Sequence, residues 1–411
     1  MKVHMVKTSG ILFRALCGAA ALLALASCAN STSGGSSSGG GGGGGSSSIA
    51  DNPDTRYYGI SGTGAAGGTT PAAGGGTTPA PAPTPAPTPT PTPGPGIAMK
   101  TGPAINAALK ALGANSGSGK SFVASASAPP AGAATQLLSD VTASTPTQVL
   151  AWADGSTIKY YAQGYTDSNR KIPLNADSSK MFLDCTGLTS LNVSGFDTSN
   201  VTQMNSMFCG CSHLTSLNVS SFDTSKVTKM NSMFHECSSL TSLDVTNFVT
   251  SSVTNMQAMF AQCSSLTSLD VTNFDTSSVT NMQVMFYECS SLTSLDVTNF
   301  DTSSVTTMHG MFFECRKIES LDLSSWNTSL VTEMTSMFKM CERLVTIEVS
   351  ASFHVPNHTD SASMFLGCTS IVGGQGTHYG GGPFVAESFL NGRIDDRNNG
   401  NPGYFTLKTN P

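Results

Sequence analysis

Charged residues are scarce in this sequence. Only 11% of its 411 residues are Asp, Glu, Lys or Arg, against about a quarter in an average soluble protein. Basic residues are the scarcer sign, with 20 Lys and Arg against 26 Asp and Glu, which gives a formal net charge of −6. Phosphate backbones are bound by clustered Lys and Arg. We therefore predict that nucleic acid is not a partner.

Long apolar runs are also few, and the one that matters lies near the N-terminus. Residues 15–26 are apolar and follow three basic residues, but the run is too short to cross a bilayer as a helix. It ends in Leu-Ala-Ser-Cys at residues 25–28, which resembles the lipobox of bacterial lipoproteins. The resemblance implies a signal peptide at 1–27 and lipid attachment at Cys28, with the lipid as the membrane anchor.

The residue after this cysteine bears on where the protein is delivered. Ala29 follows Cys28, where a retention signal would place an aspartate. We therefore expect a lipid-anchored protein exposed at the cell envelope, in the outer membrane of a two-membrane bacterium.

Two low-complexity segments follow Cys28 in the sequence. Residues 31–48 are nearly all Gly and Ser, and residues 77–96 repeat Thr-Pro and Ala-Pro, which favours a flexible coil and then extended polyproline II. Neither carries the apolar side chains that offset the entropy of ordering a chain. We predict a disordered tether over 28–100 and a weakly ordered, low-complexity linker over 101–148.

Groups for catalysis or cofactor binding are scarce too. Residues 114–121 fit a relaxed phosphate-binding loop, but that mechanism needs a strand before the loop and a helix after it, which the flanking sequence does not favour. Cys209, Cys211, His235 and Cys237 have the residue types of a zinc site. On a helix, however, the first two would point about 200° apart. We predict no enzymatic activity, no metal and no cofactor.

Most of the remaining chain is one repeat. From Met181 the pattern MFxxCxxLTSLxVxxFxTSxVTxMxx recurs every 26 residues. Copies begin at Met181, Met207, Met233, Met259, Met285 and Met311, a divergent copy runs from Met337 to Ser363, and a partial copy begins at Met364. Such self-similarity is typical of proteins in which stacked units share one continuous core.

The spacing within the repeat predicts the structure of each unit. Leu269 and Val271 alternate with polar residues, which is typical of a short strand. Beyond Phe274, apolar residues recur every three or four positions up to Cys289, which is typical of a helix. We predict an α/β solenoid, a leucine-rich-repeat horseshoe with short parallel strands on one face and short helices or 3₁₀ segments on the other.

One polar column of the predicted strands is a candidate binding surface. Its members are Asn192, Asn218, Asp244, Asp270, Asp296, Asp322 and Glu348, flanked by Ser242, Ser268, Ser294 and Ser320. We call these residues the acidic strip. Because stacked carboxylates repel one another, the strip is either a recognition surface for a basic or cation-bridged partner or a solvated polar face.

Another column holds cysteine. It comprises Cys185, Cys211, Cys237, Cys263, Cys289, Cys315, Cys341 and Cys368. These residues are in phase with the apolar positions, so we interpret them as small buried hydrophobic side chains.

The repeat frame, the lead-in at 152–177 and the tail at 374–406 resemble the BspA-type leucine-rich-repeat surface proteins. The resemblance implies display at the cell surface and binding of host or neighbouring-cell protein or glycan. We expect an N-terminal cap at 149–180, repeats at 181–368 and a C-terminal cap at 369–411. The function predicted is that of an adhesin. A structural or self-associating envelope protein is the alternative.

Overall fold

The computed structural model describes residues 97–141, 147–165, 170–356, 363–374, 376, 378–379 and 403–408. Over these residues the protein is mostly β, with several sheets, none of them closed. The elements in chain order are β1 (Ala98–Met99), α1 (Gly102–Ala111), β2 (Lys120–Ala124), β3 (Thr135–Leu137), β4 (Ser139–Asp140), β5 (Val149–Asp154), β6 (Thr157–Ala162), β7 (Ile172–Pro173), β8 (Leu188–Leu191), β9 (Phe196–Asp197), β10 (Ser216–Leu217), β11 (Ser320–Leu323), β12 (Thr346–Val349) and β13 (Thr406–Leu407).

The N-terminal part of the described chain forms a six-stranded sheet in the order β10-β8-β2-β6-β5-β3. Strand β2 lies between β8 and β6 and is parallel to both. Strands β5 and β6 are an antiparallel hairpin that turns at Gly155, where φ is +60°. Asp-Gly is a common pair in hairpin turns, and here Asp154 ends β5 and Gly155 begins the turn. The repeats therefore continue the sheet that the hairpin begins.

Residues 101–141, which belong to the linker that we predicted from composition, contain α1 and the strands β2, β3 and β4. Helix α1 buries Ile105, Ala108 and Leu109 on one face. Gly102 lets the helix approach the chain closely, because a Cβ there would lie 1.9 Å from the carbonyl oxygen of Ser179. A few well-spaced apolar residues are thus enough to dock a segment rich in Ala and Gly.

The 26-residue repeats contact one another through hydrogen bonds between equivalent positions. Parallel bridges join Asp177, Gln203, Lys229, Asn255, Asn281, Thr307 and Glu333 in succession. Side chains add to these bonds, and Thr276 Oγ1, for example, donates to Asp301 O at 2.8 Å. Each repeat therefore satisfies its backbone polar groups on its neighbours.

The strand prediction is confirmed at both ends of the repeat array and not in its centre. Strands β8 and β10 pair in parallel, and so do β11 and β12. In the copies that begin at Met233, Met259 and Met285, the same segment is not a paired strand. Its alternation persists nevertheless, since Leu269 and Val271 are buried and Asp270 is exposed.

The predicted short helices or 3₁₀ segments are not formed in the described repeats, in which turns replace them. Val284 and Glu288 have φ of +50° and +56°, a left-handed conformation that a right-handed helix cannot include. Amide hydrogen bonds span three residues, as from Tyr287 N to Val284 O at 3.2 Å, or reach the next repeat, as from Phe286 N to Met311 O at 2.9 Å. A series of tight turns thus gives the same three- or four-residue apolar spacing as a helix.

Stacked aromatic rings run through the core. The Phe that follows the first Met of each repeat stacks on its counterparts, with ring centroids 5.7 Å apart for Phe234 and Phe260 and 5.8 Å for Phe260 and Phe286. All three rings are fully buried. Aromatic pairs at this spacing add about 0.5–1.5 kcal/mol to the effect of burial alone.

The cysteine column is buried, as predicted. Each described member from Cys211 onward directs its Sγ to a Phe carbonyl in the preceding repeat, as Cys263 does to Phe234 O at 3.2 Å. None of the described cysteines forms a disulfide. Burial raises the pKa of Cys185, Cys263 and Cys315 to about 12.

At the C-terminal end, β13 pairs in parallel with β12. Tyr404 and Phe405 are each 1% exposed and contact the ring of Phe365. Of the predicted C-terminal cap at 369–411, the structure describes residues 369–374, 376, 378–379 and 403–408, and Phe384 and Phe389 lie outside the described residues. The signal peptide, Cys28 and the tether up to residue 96 also lie outside them.

Candidate ligand-binding surface

The acidic strip lies on one side of the repeats. Asn192, Asn218, Asp244, Asp270 and Asp296 are exposed, while Asp322 and Glu348 are half-buried. The flanking Ser242, Ser268, Ser294 and Ser320 are exposed as well. Because the apolar residues between them point into the core, the alternation that defines each strand also brings the polar side chains to one surface.

Each Asp of the exposed strip is fixed by a local turn. Oδ1 of Asp270 accepts hydrogen bonds from the amide and hydroxyl of Thr272, at 3.0 and 2.6 Å. Asp244 and Asp296 make the same pair of bonds with Thr246 and Thr298. These Asx turns hold the carboxylates in one orientation and use one oxygen, so that Oδ2 stays available to a partner.

The turns also set the acidity of the strip. Hydrogen bonds from the side chain and amide of Thr272 lower the pKa of Asp270, although the nearby charge of Asp244 works in the opposite direction. Thr246 lowers the pKa of Asp244 in the same way. Because hydrogen bonds to the charged form favour that form, both carboxylates are ionised at neutral pH.

The amide members of the strip use the same turn. Oδ1 of Asn192 accepts from the amide of Ser194 at 3.0 Å, and Oδ1 of Asn218 accepts from the amide of Ser220 at 2.9 Å. Asn and Asp are therefore interchangeable in this local structure. What differs along the strip is charge, since its positions in the first two repeats hold neutral Asn and those in the next three repeats hold Asp.

A groove of about 720 Å³ lies over the N-terminal half of the strip. It is lined by Val123 of β2, by residues 190–194 and 216–220 of the first two repeats, and by Ser242 and Asp244 of the third. Its volume lies within the range of about 300–1,000 Å³ that small-ligand sites occupy. Hydroxyl, amide and carboxylate groups face this groove, so it can both donate and accept hydrogen bonds.

The C-terminal half of the strip is covered by a cation of the same chain. Nζ of Lys408, next to β13, contacts Asp322 and lies 3.2 Å from Oε2 of Glu348. Burial raises the pKa of Asp322, but hydrogen bonds from Lys408 and Ser324 outweigh it, so that the net change is downward. One of the two negative charges at this end of the strip is therefore compensated, and Asp244, Asp270 and Asp296 are its exposed carboxylates without such a contact in the described structure.

The paired strands follow the same distribution of charge. The repeats that carry Asn192 and Asn218 contribute β8 and β10, and the repeats that carry Asp322 and Glu348, next to Lys408, contribute β11 and β12. The three repeats with the exposed carboxylates lack a paired strand. Like charges opposite each other weaken strand pairing, so stacked carboxylates at Asp244, Asp270 and Asp296 do not favour a paired strand.

The residues considered for zinc are only partly brought together. Sγ of Cys209 lies 3.6 Å from Nδ1 of His235, and both side chains are buried. Cys211 and Cys237 instead direct their thiols to the carbonyl oxygens of Phe182 and Phe208. Within the described ranges, no three His, Cys, Asp or Glu side chains converge where a metal ion could bind.

Sequence reasoning missed two residues that lie at the two ends of the strip. Val123 belongs to a segment that composition assigned to the linker, and Lys408 is separated by 86 positions from Asp322. The two residues meet the strip through β2 and β13, which add strands outside the 26-residue pattern. A basic residue after the last apolar pair of the tail was the one available signal.

Among the described residues, no helix combines the length and apolar character needed to cross a bilayer.

Residues 176–269 and 262–375 each match the model of a family described as "Mycoplasma protein of unknown function, DUF285". The two matches fall on the repeats and together span just under half of the chain. No curated protein and no solved structure matches the chain. The BspA-type resemblance stays a prediction, and the chain is similar over its repeats to a family of unknown function.

Proposed function

We propose that this protein is a lipid-anchored binding protein of the bacterial cell surface. Its repeats would form a leucine-rich-repeat solenoid with turns in place of helices, and its acidic strip would engage extracellular protein or glycan. The observation that best supports this proposal is the run of exposed carboxylates at Asp244, Asp270 and Asp296, each oriented by its own Asx turn. The run is continuous with a groove of about 720 Å³.

The fixed orientation of the strip supports recognition over a merely solvated face. A flexible surface carboxylate loses conformational entropy when it binds, and that loss weakens the interaction. In the strip this ordering has already occurred on folding. A basic partner with cations at the spacing of the repeats would meet several charges together, as electrostatic complementarity requires.

The repeats supply a matched control for testing the strip. Asp223, Asp275 and Asp301 are exposed and accept the same Asx hydrogen bond, from Ser225, Ser277 and Ser303. They belong to another column of the repeat. Changing either set to Asn removes three charges and keeps the turns, because Asn192 and Asn218 already form them.

The experiment measures binding of the full-length protein to immobilised extracellular-matrix proteins, host glycans and an oligolysine peptide. The triple variant D244N/D270N/D296N should lose saturable binding, and D223N/D275N/D301N should retain it. Equal binding by all three proteins would reject the strip as the binding surface. Absence of binding together with concentration-dependent association in sedimentation would favour the self-associating envelope protein.

The anchor requires a separate test. Cells that express the full chain would be labelled with a palmitate analogue, and the chain would be compared with Cys28→Ser. Label on the parent chain and none on the variant supports acylation at Cys28. Equal labelling, or label on neither chain, would reject it.

A further inference from the structure

A second cavity lies beside the groove and is not part of the acidic strip. It has a volume of about 380 Å³, and Ser194 lines both spaces. Its larger side chains are Tyr160, Tyr161, Tyr165, Arg170 and Lys171. We call this cavity the tyrosine pocket. Its volume is at the lower end of the range for ligand sites and suits a single ring-sized group.

Tyr160 carries a hydroxyl that the core does not need. The side chain is 2% exposed, and its ring stacks between Phe122 and Phe196 at centroid distances of 4.9 and 5.1 Å. Its hydroxyl oxygen is buried and has no hydrogen-bond partner in the described structure. Buried polar groups are normally paired, and phenylalanine would fill the same space between the two rings. The hydroxyl is therefore unexplained by folding.

The position opposite this hydroxyl is shaped to accommodate it. A Cβ on Gly195 would lie 2.6 Å from the hydroxyl oxygen of Tyr160, so any larger residue would collide with it. The equivalent positions of the next repeats hold Ser221, Asn247 and Asn273. Glycine at this position is specific to the repeat that faces Tyr160, and both residues line the tyrosine pocket.

The polar groups of the pocket are mainly donors. Burial raises the pKa of Tyr160 to about 12, so its hydroxyl keeps its proton at neutral pH. Arg170 donates one hydrogen bond to Gly164 O and Lys171 one to Ser221 O, both at 3.4 Å. Since Arg has five N–H donors and Lys has three, both retain donors for a ligand. No Asp or Glu is among the described residues that line the pocket.

The neighbouring strip is neutral where it adjoins the pocket. Asn192, whose side chain also holds Ser194, and Asn218 stand where later repeats have Asp. A negatively charged ligand that reaches the pocket through the groove therefore meets amides before it meets Asp244. In a chain with a net charge of −6, this is a local site that favours an anion.

We propose that the tyrosine pocket binds a carboxylate-bearing monosaccharide unit. Its carboxylate would accept hydrogen bonds from Arg170, Lys171 and the hydroxyl of Tyr160, and its ring would lie against Tyr161 and Tyr165. An acidic peptide fits less well, because it would bind here most simply by adding to a sheet edge. Both edges of β2 are already paired, with β6 and β8.

The test uses calorimetric titration of the full-length protein with glucuronate, glucose and a triglutamate peptide. Glucuronate and glucose differ at one carbon, so the comparison isolates the carboxylate. Glucuronate should bind saturably, and both other probes should bind at least about tenfold more weakly. Equal affinity for glucose, tighter binding of triglutamate, or no binding of glucuronate would each overturn the proposal.

Two variants test the residues. Arg170→Gln should lower glucuronate affinity by more than about tenfold, since it removes a charge-assisted pair. Tyr160→Phe should lower it by roughly three- to tenfold, as expected for one hydrogen bond, and should leave the melting temperature equal or higher. Arg343→Gln is the control, because Arg343 is exposed and lies 4.0 Å from Glu319, outside the pocket.

Unchanged affinity in both pocket variants would overturn the assignment even if glucuronate binds. The strip variant D244N/D270N/D296N should bind glucuronate as the parent protein does. The proposal for the tyrosine pocket and the proposal for the acidic strip can therefore be rejected independently of each other.

Discussion

The ammonium group of Lys408 lies 3.2 Å from the carboxylate of Glu348 and also contacts Asp322. The contact joins residues that are far apart in sequence and places a cation where the repeats alone would stack two carboxylates. It arises because β13 occupies the position that a further repeat strand would take beside β12. At this end of the repeat array, β13 therefore covers the edge of β12, and Lys408 reduces the negative charge of the two carboxylates.

This contact predicts a change in acidity. Replacing Lys408 with Met should raise the pKa of Asp322, because it removes a hydrogen bond and a positive charge that lower it. Carboxyl carbon shifts followed by NMR during an acid titration would measure the change. The control Arg343→Gln should leave Asp322 unaffected, and an unchanged titration in Lys408→Met would show that the contact is not formed in solution.

The left-handed turn positions predict opposite effects for two neighbouring alanines. Ala258 and Ala261 are each 1% exposed, and of the two only Ala258 has a positive φ, +55°. Glycine relieves about 1–2 kcal/mol of left-handed strain at such a site, whereas elsewhere it costs about 0.5–1 kcal/mol. Ala258→Gly should therefore be more stable than Ala261→Gly by about 1 kcal/mol or more. Urea unfolding measures this difference, and the reverse order would contradict the assigned turn.

The stacked phenylalanines predict a large loss of stability on truncation. Phe260 is fully buried between Phe234 and Phe286, so Phe260→Ala should lower the free energy of unfolding by about 3–5 kcal/mol. Val249→Ala is the control, since Val249 is 46% exposed and surface changes usually stay within about 0.5 kcal/mol. Comparable losses in the two variants would argue against a continuous aromatic core.

The cysteine column predicts unreactive thiols. Cys263 and Cys315 are fully buried, and burial raises the pKa of each to about 12. Because the thiolate is the reactive form, iodoacetamide at pH 8 should not modify them in the native protein. It should modify them after denaturation. Mass spectrometry of tryptic peptides distinguishes the two states, and rapid native labelling would mean that the repeats open.

His235 predicts a loss of stability in mild acid. Burial lowers its pKa below the ordinary value of 6.5, although Gln262 and the charge of Asp184 work in the opposite direction. The unfolded chain therefore takes up the proton first as pH falls below about 6.5, and folding stability decreases from there downward. Its contact with Cys209 is buried with it.

The test of this acid effect compares melting temperatures between pH 7.5 and 5. His235→Ala should show a smaller decrease than the parent protein, and the next repeat already carries Ala261 at this position. His309, whose pKa burial also lowers, accounts for part of the remaining slope. Parallel curves for the two proteins would show that His235 does not contribute.

The core could be predicted from the sequence more completely than the turns. Leu269 and Val271 were assigned to a strand from alternation alone, and both are buried. The helix was wrongly predicted because apolar spacing is the same in a helix and in successive turns. The distinguishing property is the left-handed backbone, and Val284 gives no sign of it, since branched residues rarely adopt that conformation.

The candidate sites could be predicted only where they follow the repeat. The column through Asp244 and Asp270 was visible as a pattern, and its Asx turns were implicit in the Thr two residues later. The tyrosine pocket was not visible, because Arg170 and Gly195 meet only after the hairpin has paired with β2. Its clue was the single glycine in an otherwise Ser and Asn column.

The bonds between neighbouring repeats bear on how this protein changes over generations. Each repeat gives and receives the same hydrogen bonds at positions 26 residues apart, as Asn255, Asn281 and Thr307 do. An in-frame gain or loss of one 26-residue block in the middle of the array would rejoin equivalent surfaces and leave both ends unchanged. Tandem copies as alike as 259–284 and 285–310 are natural substrates for unequal recombination. The length of the repeat array and the number of exposed carboxylates would then vary together among descendants of one gene.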